Sequence, residues 1–75
     1  MEKINVGNNC SFGSNVYIDS SAAPISIGEN TVIEDWVTIM PNVNLGKNVK
    51  VLSNSIVSTS FPDNVTIGGK PAKIL

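Results

Sequence analysis

The chain has 75 residues, five lysines against six carboxylates, a formal charge of −1, one cysteine and no histidine. That balance gives no basic face for nucleic acid; one cysteine excludes an internal disulfide, and the missing histidines exclude a metal site of His and Cys clusters. A single domain of this size buries little surface, which leaves oligomerisation as the means of stabilising it.

The predicted elements are ten tetrads. In chain order they begin at Ile4, Cys10, Val16, Ile25, Thr31, Val37, Val43, Val49, Ser55 and Val65. In each, the first and third residues alternate with the second and fourth. Of the twenty first and third positions, only Thr31 and Ser55 are not apolar. A period of two rich in Val and Ile predicts short strands with one buried face. Cys10 fits that face as a small core residue rather than a reactive thiol.

Eight of the tetrads are followed by a two-residue link, from Asn8-Asn9 to Gly69-Lys70, and the second residue is Asn in six of the eight. Asn enters the left-handed backbone region at lower cost than other non-glycine residues. Hairpins would favour Gly there and would pair neighbouring strands antiparallel. Instead the core pattern keeps one phase through every corner. The spacing therefore predicts a coil with three sides and about 18 residues per turn, stacked in parallel at roughly 4.8 Å.

Strands three apart then stack. Side one holds the strands beginning at Ile4, Ile25, Val43 and Val65; side two those at Cys10, Thr31 and Val49; side three those at Val16, Val37 and Ser55. Two links are longer, Ser20–Pro24 and Thr59–Asn64, and both leave side three for side one. Loops off a regular scaffold are where function tends to sit. The outward residues of side one are polar or glycine. Those of the other two sides include Val32, Leu52, Tyr17, Met40 and Ile56, flanking an edge that carries Trp36. Such a strip predicts packing between subunits around a three-fold axis.

With these tetrads in place, the chain resembles the hexapeptide-repeat family, whose members form left-handed parallel β-helices. The expected fold is all-β, one left-handed β-helix domain over residues 1–75, of about three triangular coils. The stretch Ser55 to Leu75, ending "VTIGGKPAKIL", is similar to the C-terminal signature of maltose, galactoside and xenobiotic acetyltransferases. That resemblance implies acetyl-CoA as co-substrate, a hydroxyl or amine acceptor and a homotrimer with acetyl-CoA between subunits. By position it carries the cofactor contacts onto Asp35, Ser53, Ser58, Thr59 and Lys73.

The resemblance also implies a catalytic His before a Pro and a long loop. Pro24 marks the place, Ala23 lies near the position of the base, and no residue of the chain is His. The catalytic residue is thus unknown. Asp19, Glu34 and Asp35 read as solvated carboxylates, poor bases at neutral pH. Thr59 stands where the family has Lys, Val32 where it has Trp, and Glu34 and Asp35 put negative charge beside a polyanionic cofactor. The expectation is an acetyltransferase-like protein with impaired or absent activity; a non-catalytic trimeric structural or binding module, or a fragment or design idealising the repeat, are the alternatives. γ-Carbonic anhydrases share the fold but need three zinc-binding His, which excludes that reading; an ice-binding helix needs a flat face of repeated Thr, and the pattern disfavours it, because Thr31 points inward and Thr38 and Thr66 lie on different sides. No apolar run is long enough to span a membrane and no secretory leader opens the chain, so a soluble, cytoplasmic protein is expected.

Overall fold

The computed structural model describes residues 4–75. The first coil is β1 (Ile4–Val6), β2 (Ser11–Phe12) and β3 (Tyr17–Ile18); the second is β4 (Ile25–Ile27), β5 (Val32–Ile33) and β6 (Thr38–Ile39). The third coil is β7 (Asn44–Leu45), β8 (Lys50–Val51) and β9 (Ile56–Val57), followed by β10 (Thr66–Gly69) and β11 (Ala72–Ile74). Three sheets form the sides: β1-β4-β7, β2-β5-β8-β10-β11 and β3-β6-β9. Every pair is parallel except β10 with β11. The fold is a left-handed parallel β-helix, as the repeat implies.

The corners explain why six residues make one side. Asn9, Asn15, Asn30, Asn42, Asn48 and Asn54 all have φ between 57° and 68°. That is the left-handed region in which Asn is tolerated and most side chains clash with the backbone. Trp36 takes the same place at φ 59°, a strained position for a bulky residue.

The first and third positions of the second and third coils fill the interior: Ile25, Ile33, Ile39, Val51 and Val57 are wholly buried. The two polar core residues are satisfied. The Thr31 hydroxyl donates to the Gly46 carbonyl at 3.1 Å and accepts from the Val49 amide. The Ser55 hydroxyl donates to the Leu52 carbonyl at 2.7 Å and accepts from the Gly69 amide at 3.2 Å. Coils approach so closely that a Cβ on Gly28 would lie 2.5 Å from the Gly46 carbonyl carbon.

The structure corrects the predicted layout after Ser58. The strand beginning at Val65 lies on side two, where Ile67 pairs with Val51, and not on side one. Side one is continued by Phe61, which bridges to Leu45. Thr59–Asn64 is therefore no loop but one more six-residue side, closed by Asp63 and Asn64 at φ 61°. What is missing is the corner before it: Ser58 runs straight into Thr59. The ladder records the loss, because Leu45 meets Phe61 two residues sooner than Ile27 meets Leu45. Gly69-Lys70 is likewise no corner. The chain reverses there into the hairpin of β10 and β11, with Gly69 at φ 108° and a cis Lys70–Pro71 bond. Three full coils are followed by a fourth that is only begun. One further expectation fails at the first coil, where the inward residues Val6 and Phe12 remain exposed.

The corner rule is testable at Asn42, where no side-chain hydrogen bond complicates the reading. Asn42→Ala is expected to cost about 1–2 kcal/mol, whereas Asn42→Gly changes stability by less than about 0.5 kcal/mol; urea unfolding of the three proteins measures both.

Candidate functional site

Both irregularities of the coil fall on the edge between sides three and one. At the first, Ser20–Pro24 bulges outward between β3 and β4. Asp19 accepts hydrogen bonds there from the Ser21 hydroxyl at 2.6 Å and the Ser21 amide at 3.0 Å. These hold its carboxyl below the ordinary value near 3.8. A general base for a hydroxyl needs the opposite shift, so Asp19 is the wrong kind of carboxylate for that role.

At the second irregularity the lost corner draws Ser58 and Thr59 in against the C-terminal hairpin. A cleft of about 380 Å³ opens between them. Phe61, Ala72 and Ile74 give it apolar walls, Ser58 and Thr59 supply hydroxyls, and Lys73 supplies the charge. In the hairpin Lys73 sits opposite Gly68 and Ala72 opposite Gly69; a side chain at Gly68 would meet Leu52 and Leu75, away from this cleft. The hydrogen bond from the Gly69 amide to Ser55 ties the hairpin to side three. Three of the five residues expected at the cofactor thus converge, and they converge because a corner is absent.

Asp35 and Ser53 stand elsewhere. They line a second depression of about 380 Å³ on side two, with Phe12, Val32 and Glu34. Their polar groups are engaged in joining coils. Asp35 Oδ1 accepts from the Ser14 amide at 2.8 Å, and Glu34 Oε1 accepts from the Ser53 amide at 3.1 Å and from its hydroxyl. Glu34 also faces Lys50 at 3.7 Å, a half-exposed pair of small energetic weight. Asp63 repeats the Asp35 pattern toward the Lys47 amide. An Asp at the first corner position is thus a bracket between coils. Among the described residues no cluster of His, Cys, Asp or Glu suits a metal ion.

Sequence reasoning missed Phe61, Ala72 and Ile74 as cleft walls. The signal was present. Six residues before Val65 comes Thr59, and Asp63-Asn64 has the form of the other corner pairs. Counting backward from the tail finds the side that counting forward from Ser55 loses.

A model of the family described as bacterial transferase hexapeptide (six repeats) matches residues 24–59. The chain is 34% identical over 84 residues to galactoside O-acetyltransferase of Lactococcus lactis, covering 92% of this chain and 41% of that protein. Against galactoside O-acetyltransferase of Escherichia coli the identity is 38% over 52 residues, covering 69% and 26%. The chain therefore spans less than half the length of these curated relatives. Among solved structures, PerB from Caulobacter crescentus, in complex with CoA and GDP-perosamine, superimposes with a TM-score of 0.89 at 27% identity, over 97% of this chain and 34% of that one. A maltose O-acetyltransferase from Clostridium difficile shares the fold with a TM-score of 0.75, at 22% identity and over 97% and 58%.

Two substitutions separate bracing from binding. Ser55→Ala leaves the Gly69 amide without its buried partner and is expected to destabilise by about 1–3 kcal/mol. Asp35→Ala removes an exposed bracket and is expected to cost about 1 kcal/mol or less. Thermal unfolding followed by circular dichroism checks both.

Proposed function

Because this chain belongs to the hexapeptide-repeat acyltransferase family, we propose that it binds acetyl-CoA and serves acetyl transfer to a hydroxyl or amine acceptor. The observation that carries this reading is the convergence of Ser58, Thr59 and Lys73 on one cleft with apolar walls. The residues there fit the group. Phe61 and Ile74 offer apolar surface to the aliphatic parts of the pantetheine arm. The hydroxyls of Ser58 and Thr59 can donate to its carbonyls or to phosphate, and Lys73 presents a compact cation to a phosphate. Acetyl-CoA supplies the activated acetyl thioester; the chain holds it and shields it from water. PerB, itself solved with CoA, and the galactoside and maltose O-acetyltransferases support a sugar as acceptor.

The second depression belongs to the same proposal through assembly. Tyr17 and Trp36 are each 61% exposed, and Val32, Met40 and Ile56 lie near them. We infer a homotrimer that covers this strip. In it the Asp35 and Ser53 depression of one protomer faces the Lys73 cleft of its neighbour, so that both line one groove. The carboxylates are tolerable there because Asp35 and Glu34 are turned to backbone amides.

None of the 75 residues is His, and Asp19 is held in its charged form. A histidine base for the acceptor comes from outside this sequence or not at all. With these residues alone the chain binds the acetyl donor without the usual base, and its transfer activity is impaired. That same observation favours the second reading, a non-catalytic trimeric binding module. The proposal carries a cytoplasmic location with it, because acetyl-CoA is a cytoplasmic metabolite; among the described residues no helix is long and apolar enough to cross a membrane.

Calorimetric titration with acetyl-CoA is expected to show saturable binding that Lys73→Ala weakens about tenfold, the loss of roughly one charge-assisted contact. No heat at millimolar acetyl-CoA overturns the proposal. Acetyl transfer to sugar acceptors, measured alongside, separates an enzyme from a binding module. Sedimentation is expected to give three chains or a multiple of three, and Trp36→Asp to break the assembly into protomers; a stable wild-type monomer at micromolar concentration defeats the trimer.

A further inference from the structure

Position 55 carries a hydroxyl that the core does not need. It is the first place of its tetrad on side three, where the two coils before have Val16 and Val37. Val37 and Ser55 are both buried, at 0% and 1% exposure. A valine fills such a place, and a buried hydroxyl is costly unless it is bonded. Something other than packing therefore accounts for Ser55.

The ladder of side two supplies the reason. The Lys50 amide donates to the Val65 carbonyl and the Leu52 amide to the Ile67 carbonyl, both at 3.0 Å. The next step of a parallel ladder would take the Gly69 amide to the Leu52 carbonyl. The Ser55 hydroxyl stands between them, donating to the carbonyl at 2.7 Å and accepting from the amide at 3.2 Å. That rung is thus longer by one oxygen, and it lies where the chain, with Gly69 at φ 108°, turns back on itself. Past Ile67, where pairing with β8 ends, this bond holds the hairpin to the coil.

Resting on the acetyl-CoA reading above, we propose that Ser55 is a positioning residue for that ligand: its hydroxyl sets how far the hairpin wall of the cleft stands from the Ser58 wall. Both walls start from the one bond. On one side, Ser58 lies three residues along the chain from Ser55, across β9. On the other, Gly69 pairs with Ala72, and Lys73 follows. Ser55 is buried and is not among the residues that line the cleft, so it acts through the hairpin. With the hydroxyl in place, Lys73 is held across from Ser58 and Thr59 before any ligand arrives, which reduces the ordering cost of binding. Without it the Gly69 amide has no partner, and the wall that carries Lys73 loosens.

A role in stability alone predicts a different outcome, because the ligand would not distinguish one lost hydroxyl from another. Thr31 provides the comparison. Its hydroxyl makes the same pair of bonds, to the Gly46 carbonyl and from the Val49 amide, at the edge between sides one and two and away from the cleft. Ser55→Thr keeps the hydroxyl at position 55; Ser55→Val has the same shape without it, as does Thr31→Val at position 31.

Titration with acetyl-CoA is expected to show binding weakened about tenfold in Ser55→Val, with Ser55→Thr and Thr31→Val within about threefold of wild type. Hydrogen exchange without ligand is expected to run faster at the amides of Gly69 and Ala72–Ile74 in Ser55→Val, and unchanged there in Thr31→Val. The proposal is overturned if Ser55→Val binds as wild type does, if Thr31→Val weakens binding equally, or if hairpin exchange does not respond to Ser55→Val. Absence of binding by the wild type defeats the acetyl-CoA reading and the ligand named here with it, whereas hairpin exchange still decides whether Ser55 sets the wall. Should Ser55→Val fail to fold, the wild type decides: protection of the Gly69 amide supports the proposal, and exchange at the rate of a free amide overturns it.

Discussion

The fold rests on a backbone constraint at the corners. A side of four residues can join the next through two residues only if the second takes a positive φ. Seven of the eight non-glycine residues that do so here are Asn. Everything else follows from the regularity this produces. Corners in register bring strands into register, and strands in register stack Ile and Val into one column of core. Trp36 takes the same place and, like the Asn residues at the other corners, it is exposed.

Regular coils make poor sites, because every outward row repeats. The cleft arises where the rule is suspended. Losing the corner between Ser58 and Thr59 shortens one side, and the hairpin after Gly69 folds back across the gap. Ser55 then serves twice, closing its own turn and holding the hairpin's amide. A polar residue in an apolar column would ordinarily be a liability. Here it is the peg that keeps Lys73 and Ser58 near one another. The corner acids act on the same scale: Asp35 and Asp63 each stitch a coil to its neighbour through an amide, so negative charge at the corners is architectural before it is functional.

Two features of the surface are incomplete within one chain. The strip around Trp36 lacks a cover within the chain. The cleft has a cation but no base. In the trimer proposed above, a neighbouring chain covers the strip and adds its Asp35 and Ser53 depression to the cleft.

Much was legible before any coordinates. Alternation at period two and Asn at every sixth residue gave strand length, side number and the identity of the buried column, because those follow from local backbone geometry. The absence of His was equally plain. What a forward count could not reveal was the missing corner. A deletion leaves no residue to read, and Thr59 with Pro62 does not look like a strand until Phe61 is seen against Leu45. Nor could sequence say that Asp35 and Ser53 line one hollow while Ser58 and Lys73 line another. By itself, then, the sequence determined the coil, its corners and its core, since each is set within six residues. Only the tertiary structure decided which side the tail rejoins and where the cleft opens, since those depend on residues 14 to 16 apart meeting in space.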